Sequence, residues 1–234
     1  MALVFAIVLP PAGPAGANRA THEPEPGLQL FNIFGPNELR AVELGVLPQW
    51  TRLLSRMDEA PGSLARCWSD AADCTSPQLE RWRGLVEDIA ADNRDTQLRA
   101  VNTFFNRWPY KQDRALYGVR EYWATPAEFM ARAGDCEDFA IAKYFTLRAL
   151  GYPDEALRII VLYDRIRGVG HAVLAVLAND DILILDNQSD QVFSHARYRH
   201  YVPWYAMNQE TFWTTTAPYL TQILPRDILP GHSG

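Results

Sequence analysis

The chain has 234 residues, 48% of them apolar and 12% aromatic, enough for one sizeable core and too hydrophobic for wholesale disorder. Its formal net charge of −6 comes without any Lys/Arg-dense stripe, which excludes nucleic acid as a partner.

Residues 1–17 stand apart. Leu3–Pro10 is a short apolar run, too short to span a bilayer, and the Pro/Gly/Ala stretch after it ends Ala15-Gly16-Ala17. This matches the small-x-small rule for a cleaved signal peptide and predicts an exported protein whose remainder, 18–234, is a single domain. Cys67 and Cys74 in CWSDAADC are close enough to pair, and in an exported chain they read as a local disulfide. Cys136 is then the odd thiol.

Beyond a Pro-rich stretch near Thr21–Gly27, Leu28–Phe34 is a short apolar segment suited to an edge strand or an arm. Pro48 opens a helix to about Glu59, with Trp50, Leu53, Leu54 and Met57 on one face, and Pro61-Gly62 ends it. Ser76-Pro77 is an N-cap followed by proline in the first turn, and Trp82, Leu85, Val86 and Ile89 recur at the helical period. A further helix from about Thr96 carries Leu98, Val101, Phe104, Phe105 and Trp108 and stops at Pro109. Thr125-Pro126-Ala127-Glu128 is a capping box that starts a short helix ending at Gly134. Asp135 and Asp138 cap the next helix, which Gly151 and Pro153 close.

The period then changes from helix to strand. Leu157–Tyr163, His171–Ala178 and Ile182–Leu185 are β-rich runs separated by a turn at 165–170 and a tight turn at Asn179-Asp180. They predict an antiparallel meander buried on both faces and packed on the preceding helix. Trp204, Tyr205, Met207, Phe212 and Trp213 in the tail add a strand or a cover. The class is therefore α+β, with a helical first half.

The chemistry converges on GDCEDFAIAKYFTLRAL, residues 134–150. Cys136 falls in the first turn of a helix, where free N–H groups favour a thiolate and can face an oxyanion. His171 opens a strand after Gly168-Val169-Gly170, and Asp186 closes the next strand. With a two-residue loop at Asn179-Asp180, position 173 pairs with 186; with the loop at Ala178-Asn179, 171 pairs with 186. Either register puts His171 and Asp186 on one face, about 5–8 Å apart between backbones. In that arrangement Cys136 is a nucleophile, His171 its base and Asp186 the group that orients the imidazole. Asn187 could orient the ring equally well; His22, His195, His200 and His232 lack comparable surroundings.

Asp135, Glu137 and Asp138 pose a conflict, because three negative charges around a thiol oppose its ionisation. Helix capping accounts for Asp135 and Asp138 but does not require three acids. A hard cation would remove the conflict, and a carboxylate cluster suits Ca²⁺, whereas one thiol and one histidine do not make a closed zinc site.

TPAEFMARAGDCEDFAIAKYFTLRALGYP, followed by GVGHAVLAV and ILILDNQSD, resembles the bacterial transglutaminase-like cysteine proteinases over residues 98–213. The resemblance implies a papain-like, transglutaminase-type fold, with the nucleophile helix packed on an antiparallel sheet. It further implies a Cys136–His171–Asp186 triad and calcium held beside the nucleophile by Asp135, Glu137 and Asp138. The implied activity is periplasmic cleavage of a large surface adhesin near its N-terminus, at a paired-alanine site, releasing biofilm cells. The implied partner is an inner-membrane cyclic-di-GMP receptor of the LapD type that sequesters the protease. Two other classes share these residues: a transglutaminase or other acyltransferase that passes the same acyl-enzyme to an amine, and a non-catalytic calcium-dependent binding module.

Overall fold

A computed structural model of the chain describes residues 38–41, 47–59, 64–178 and 181–215. The expected signal peptide, the Leu28–Phe34 segment, the Asn179-Asp180 turn and the tail beyond 215 lie outside the described residues.

Helices dominate the first half of the described chain: α1 (Pro48–Glu59), α2 (Leu64–Ser69), α3 (Pro77–Ile89), α4 (Arg94–Asn106), the short α5 (Asp113–Leu116), α6 (Pro126–Arg132) and α7 (Cys136–Ala149). Their starts follow the expected chemistry. The Ser76 hydroxyl accepts from Leu79 N–H, and Thr125 and Glu128 complete a reciprocal capping box at α6. Helix α4 begins two residues before the expected Thr96, because the Asn93 side chain accepts from Thr96 N–H and sets the boundary itself. Cys67 and Cys74 are joined by a disulfide that ties α2 to the turn after it, and Cys136 is a free cysteine.

The strands are β1 (Glu38–Ala41), β2 (Leu157–Asp164), β3 (Val169–Ala178), β4 (Asp181–Asp186), β5 (Ser189–Ser194), β6 (Tyr201–Met207) and β7 (Phe212–Thr215). They form a single antiparallel sheet in the order β1-β7-β6-β2-β3-β4-β5. The three-strand meander expected from the sequence is its centre. Sequence patterning missed β5, whose SDQVFS is too polar to read as a strand and which pairs with β4 at the sheet edge.

Both faces of the centre are apolar. Ile159, Leu174, Val176 and Leu185 join the helices in the larger core, while Ile160, Leu162, Val173, Ala175, Ile182 and Ile184 form a second cluster with Ala206 and Trp213. Helix α7 packs on β3, β2 and β4 on one side and on α4 and α6 on the other, so its residues from Glu137 to Leu147 are all buried. The two fully buried tryptophans Trp50 and Trp82 are satisfied at their polar ends: Trp50 Nε1 donates to Asn208 O at 3.1 Å and Trp82 Nε1 to Thr146 Oγ1 at 2.9 Å.

One member of α7 violates the logic of its surroundings. Lys143 is fully buried, and its ammonium has no hydrogen-bond partner among the described residues. Burial pushes its pKa down to about 7, against the opposing attraction of Asp186 and Asp190. A lysine with a depressed folded pKa carries its full burial cost below about pH 7. That cost fades as pH rises toward 10.5, because over this range the unfolded chain holds a proton the folded chain has shed. Lys143→Met is therefore expected to stabilise the fold by about 1–4 kcal/mol at pH 6 and by less at pH 9. Urea melts at the two pH values check the size and the sign.

Candidate active site

Three elements deliver the central groups. Helix α7 places Cys136 at its first residue, His171 is the third residue of β3, and Asp186 is the last residue of β4. The register of β3 on β4 pairs Leu174 with Leu185 and Ala178 with Asp181, which corresponds to the two-residue loop and sets 173 opposite 186. His171 is then diagonal to Asp186 on the same face. Its Nε2 lies 2.9 Å from Asp186 Oδ1, and both residues are buried.

Asp186 is heavily engaged. Oδ1 also accepts from Gln188 N–H at 3.0 Å, and Oδ2 accepts from the Tyr201 hydroxyl at 2.6 Å. Burial alone would raise its pKa, but the His171 and Tyr201 hydrogen bonds, the imidazole charge and the Gln188 amide together hold it below the usual carboxylate range. An ionised Asp186 accepts from Nε2–H and so leaves Nδ1 as the proton acceptor of the ring. Asn106 on α4 braces the same turn from beneath: its Nδ2 lies 3.0 Å from both Asp186 O and Ser189 O.

Cys136 and His171 line one cavity of about 380 Å³, together with Asp113, Asp135, Glu137 and Trp204 among others. The thiol directs its proton to Glu137 Oε2 at 3.2 Å, and the Ala172 backbone N–H faces the sulfur. Burial pushes the thiol pKa well up, the charges of Glu137 and Asp135 push it further, and the Ala172 amide opposes them. Without a counter-charge Cys136 is held as a thiol.

The three acids expected around Cys136 are together, but they divide the work differently from simple capping. Asp138 is the true brace: Oδ1 accepts from Ala124 N–H at 2.6 Å and Oδ2 from Asp135 N–H at 3.2 Å. That carboxylate folds back against Gly134, where a Cβ would stand 2.1 Å from Asp138 Oδ2, so the position excludes any side chain. Ala133 just before it sits at φ 103°, ψ 179°, a region that costs an L-residue about 1–3 kcal/mol and is used mostly at functional sites. Asp135 occupies the N-cap position, yet its Oδ2 accepts from Asp113 N–H, 22 residues upstream and at the start of α5.

Asp113 is a fourth member that sequence reasoning missed. Single atoms of Asp113, Asp135 and Asp138 lie within 4.8 Å of one another, and those of Asp135, Cys136 and Glu137 do likewise. One oxygen each of Asp113 and Asp135 is buried with no hydrogen-bond partner among the described residues. Glu137 and Asp138 are pushed well above the ordinary carboxylate range, first by burial and then chiefly by Asp135. Burial and Asp135 raise Asp113 to about 6. Unpaired carboxylate oxygens converging in a buried site make a donor set that fits a hard cation.

A thiol at a helix N-terminus and a carboxylate-oriented imidazole, carried by the α7–β3–β4 unit, define a cysteine hydrolase of the papain-like, transglutaminase type. The chain belongs to the bacterial transglutaminase-like cysteine proteinases (BTLCP), whose family model matches residues 58–218. It is a cysteine protease. The comparison with curated proteins finds no match. Among solved structures, Legionella pneumophila LapG is similar at 27% identity and a TM-score of 0.55, over 74% of this chain and 91% of that one. The calcium-bound form of Legionella LapG matches at 28% identity and TM-score 0.55, covering 72% and 88% of the two chains. Its EGTA-treated form also matches at 28% identity and TM-score 0.55, covering 72% and 86%.

Proposed function

We propose that this chain is a calcium-dependent periplasmic cysteine endopeptidase that cleaves a large surface adhesin near its N-terminus and so controls biofilm release. The observation that carries the calcium dependence is the set of unpartnered carboxylate oxygens of Asp113 and Asp135 beside a thiol whose proton is held by Glu137. The calcium-bound and EGTA-treated forms of the similar Legionella LapG support the choice of metal. Asp113, Asp135 and Glu137 would hold the ion, with Asp138 behind them. Bound there, calcium supplies the positive charge that offsets the carboxylate field on the thiol.

The chain's own residues carry the chemistry. His171 Nδ1 takes the Cys136 proton, and the thiolate attacks the scissile carbonyl carbon to form an S–C bond. The Cys136 backbone N–H, free at the helix start, faces the oxyanion. His171 then passes its proton to the leaving amine as the C–N bond breaks, and water, deprotonated by His171, releases the acid from the thioester. Asp186 keeps the imidazole in the productive tautomer throughout. Sequestration by an inner-membrane cyclic-di-GMP receptor completes the reading.

The test incubates the purified protein with N-terminal fragments of large adhesins from the same genome, in calcium or in EGTA, beside Cys136→Ala. Discrete cleavage is expected only with Cys136 and calcium both present. Undiminished cleavage in EGTA would sink the calcium dependence, and cleavage by Cys136→Ala would sink the nucleophile.

A further inference from the structure

Strand β6 begins at Tyr201, which pairs with Asp164 at the end of β2, so that β2 and β3 both lie between it and the β4 strand of Asp186 in the sheet. Its side chain nevertheless reaches the end of β4. The hydroxyl donates to Asp186 Oδ2 at 2.6 Å, while Oδ1 is taken by His171 Nε2 at 2.9 Å and Gln188 N–H at 3.0 Å. The Tyr201 ring stands edge-on to the imidazole, with centroids 5.7 Å apart and planes at 68°. One residue therefore touches both the acid, through its hydroxyl, and the base, through its ring.

We infer that Tyr201 is a positioning residue for the hydrolysis, fixing Asp186 so that the carboxylate holds His171 with Nδ1 turned toward the substrate cavity. The inference rests on the peptidase reading for its kinetic part only. A carboxylate at the end of a strand can rotate about its last side-chain torsion. Gln188 N–H and Nε2–H both pull on Oδ1 and leave Oδ2 free to swing; the phenol pins that second oxygen with a charge-assisted bond. The edge contact then limits the tilt of the imidazole on its other side. Tyr201 is not among the residues that line the Cys136 cavity, so its effect passes through Asp186 and His171.

The neighbouring Tyr198 supplies a matched control. It stacks on Tyr201, with centroids 4.9 Å apart at 24°, but its own buried hydroxyl has no hydrogen-bond partner among the described residues. Removing the Tyr198 oxygen keeps the aromatic stack and breaks no bond to Asp186.

The experiment compares Tyr201→Phe with Tyr198→Phe and the parent protein in excess calcium. Its first readout is the Nε2–H proton resonance of His171 in the NMR spectrum, identified by its loss in His171→Ala; no substrate is needed. Tyr201→Phe is expected to move or exchange-broaden this resonance, and Tyr198→Phe to leave it in place. The second readout is turnover on a cleaved adhesin fragment, where loss of one charge-assisted bond predicts a kcat about ten-fold lower with KM unchanged. A His171 signal and a kcat in Tyr201→Phe equal to the parent's would overturn the inference, as would equal changes in both variants. If the parent cleaves no adhesin fragment, the proposed substrate fails, while the resonance still decides the role of Tyr201. A thermal melt of each variant separates a lost fold from a lost bond: a change in signal or turnover counts for the role only with melting within about 4 °C of the parent's.

Discussion

Asp186→Ala is expected to lower kcat by about three to four orders of magnitude with little change in KM, whereas Asp186→Asn is expected to lose only about ten- to a hundred-fold. The difference follows from the groups around the carboxylate. Gln188 N–H is a backbone donor fixed 3.0 Å from Oδ1, so an asparagine in this place is driven to put its carbonyl oxygen there and its NH₂ toward Tyr201. The Tyr201 hydroxyl can rotate to accept. His171 Nε2–H then still meets an oxygen and the tautomer survives; the lost quantity is the negative charge that stabilises the imidazolium. Alanine removes the acceptor as well, and leaves Nε2–H buried without a partner. Initial rates on a cleaved adhesin fragment distinguish the two. Equal losses in both variants would mean that charge, not orientation, is what Asp186 supplies.

The meander and the His171–Asp186 pair were open to sequence reasoning because strand periodicity fixes sides. Once β3 and β4 were joined by a turn of either two-residue placement, parity alone put His171 and Asp186 on one face, and the observed pairing of Leu174 with Leu185 is one of those two registers. Helix boundaries were legible wherever a side chain sets them, as at Ser76 and Thr125. Contacts made by distant segments were not. Asp113 sits in QDRAL, where one acid opening a short helix looks like an ordinary cap, and only the docking of its backbone on Asp135 reveals its place. Tyr201 reaches Asp186 because β6 returns beside β2, a crossing that local patterning does not encode. Asp135 sits at the N-cap in a capping box with Asp138 as expected, but its Oδ2 also accepts from Asp113 N–H, which the local pattern does not show.

These misplacements bear on one physical question, namely what offsets the charge gathered at the start of α7. Asp138 is stabilised by two backbone amides, so it would remain in place with or without a cation. Asp113, Asp135 and Glu137 have no such support in full, and after burial it is Glu137 and Asp135 that hold the Cys136 thiol protonated. The cost of bringing them together is built into the fold, and either bound protons or a cation can offset it. Under the proposed calcium dependence, such a protease would be switched at Cys136 itself.

The same crowding predicts how stability responds to pH and calcium. Asp113 is raised to about 6, and Glu137 and Asp138 are also held above the ordinary carboxylate range. A raised carboxylate binds its proton more tightly when folded, so the folded state holds more protons than the unfolded state above about pH 4. In EGTA, stability is therefore expected to fall as pH rises from 5 to 7, a window that lies below the one in which Lys143 acts with opposite sign. Calcium at about 100-fold over its dissociation constant would add about 2.7 kcal/mol, or roughly 5–10 °C in melting temperature, and the gain should grow with pH as the carboxylates ionise. Asp113→Asn supplies a double signature. Removing one buried acid should raise the melting temperature in EGTA at pH 7 and shrink the calcium-induced rise, since a ligand oxygen with full charge is gone. Thermal melts of parent and variant at pH 5, 7 and 8, with EGTA or calcium, read both effects. Identical melting in EGTA and calcium across this range would show that the acids at Cys136 hold no ion and that their charge is neutralised by protons alone.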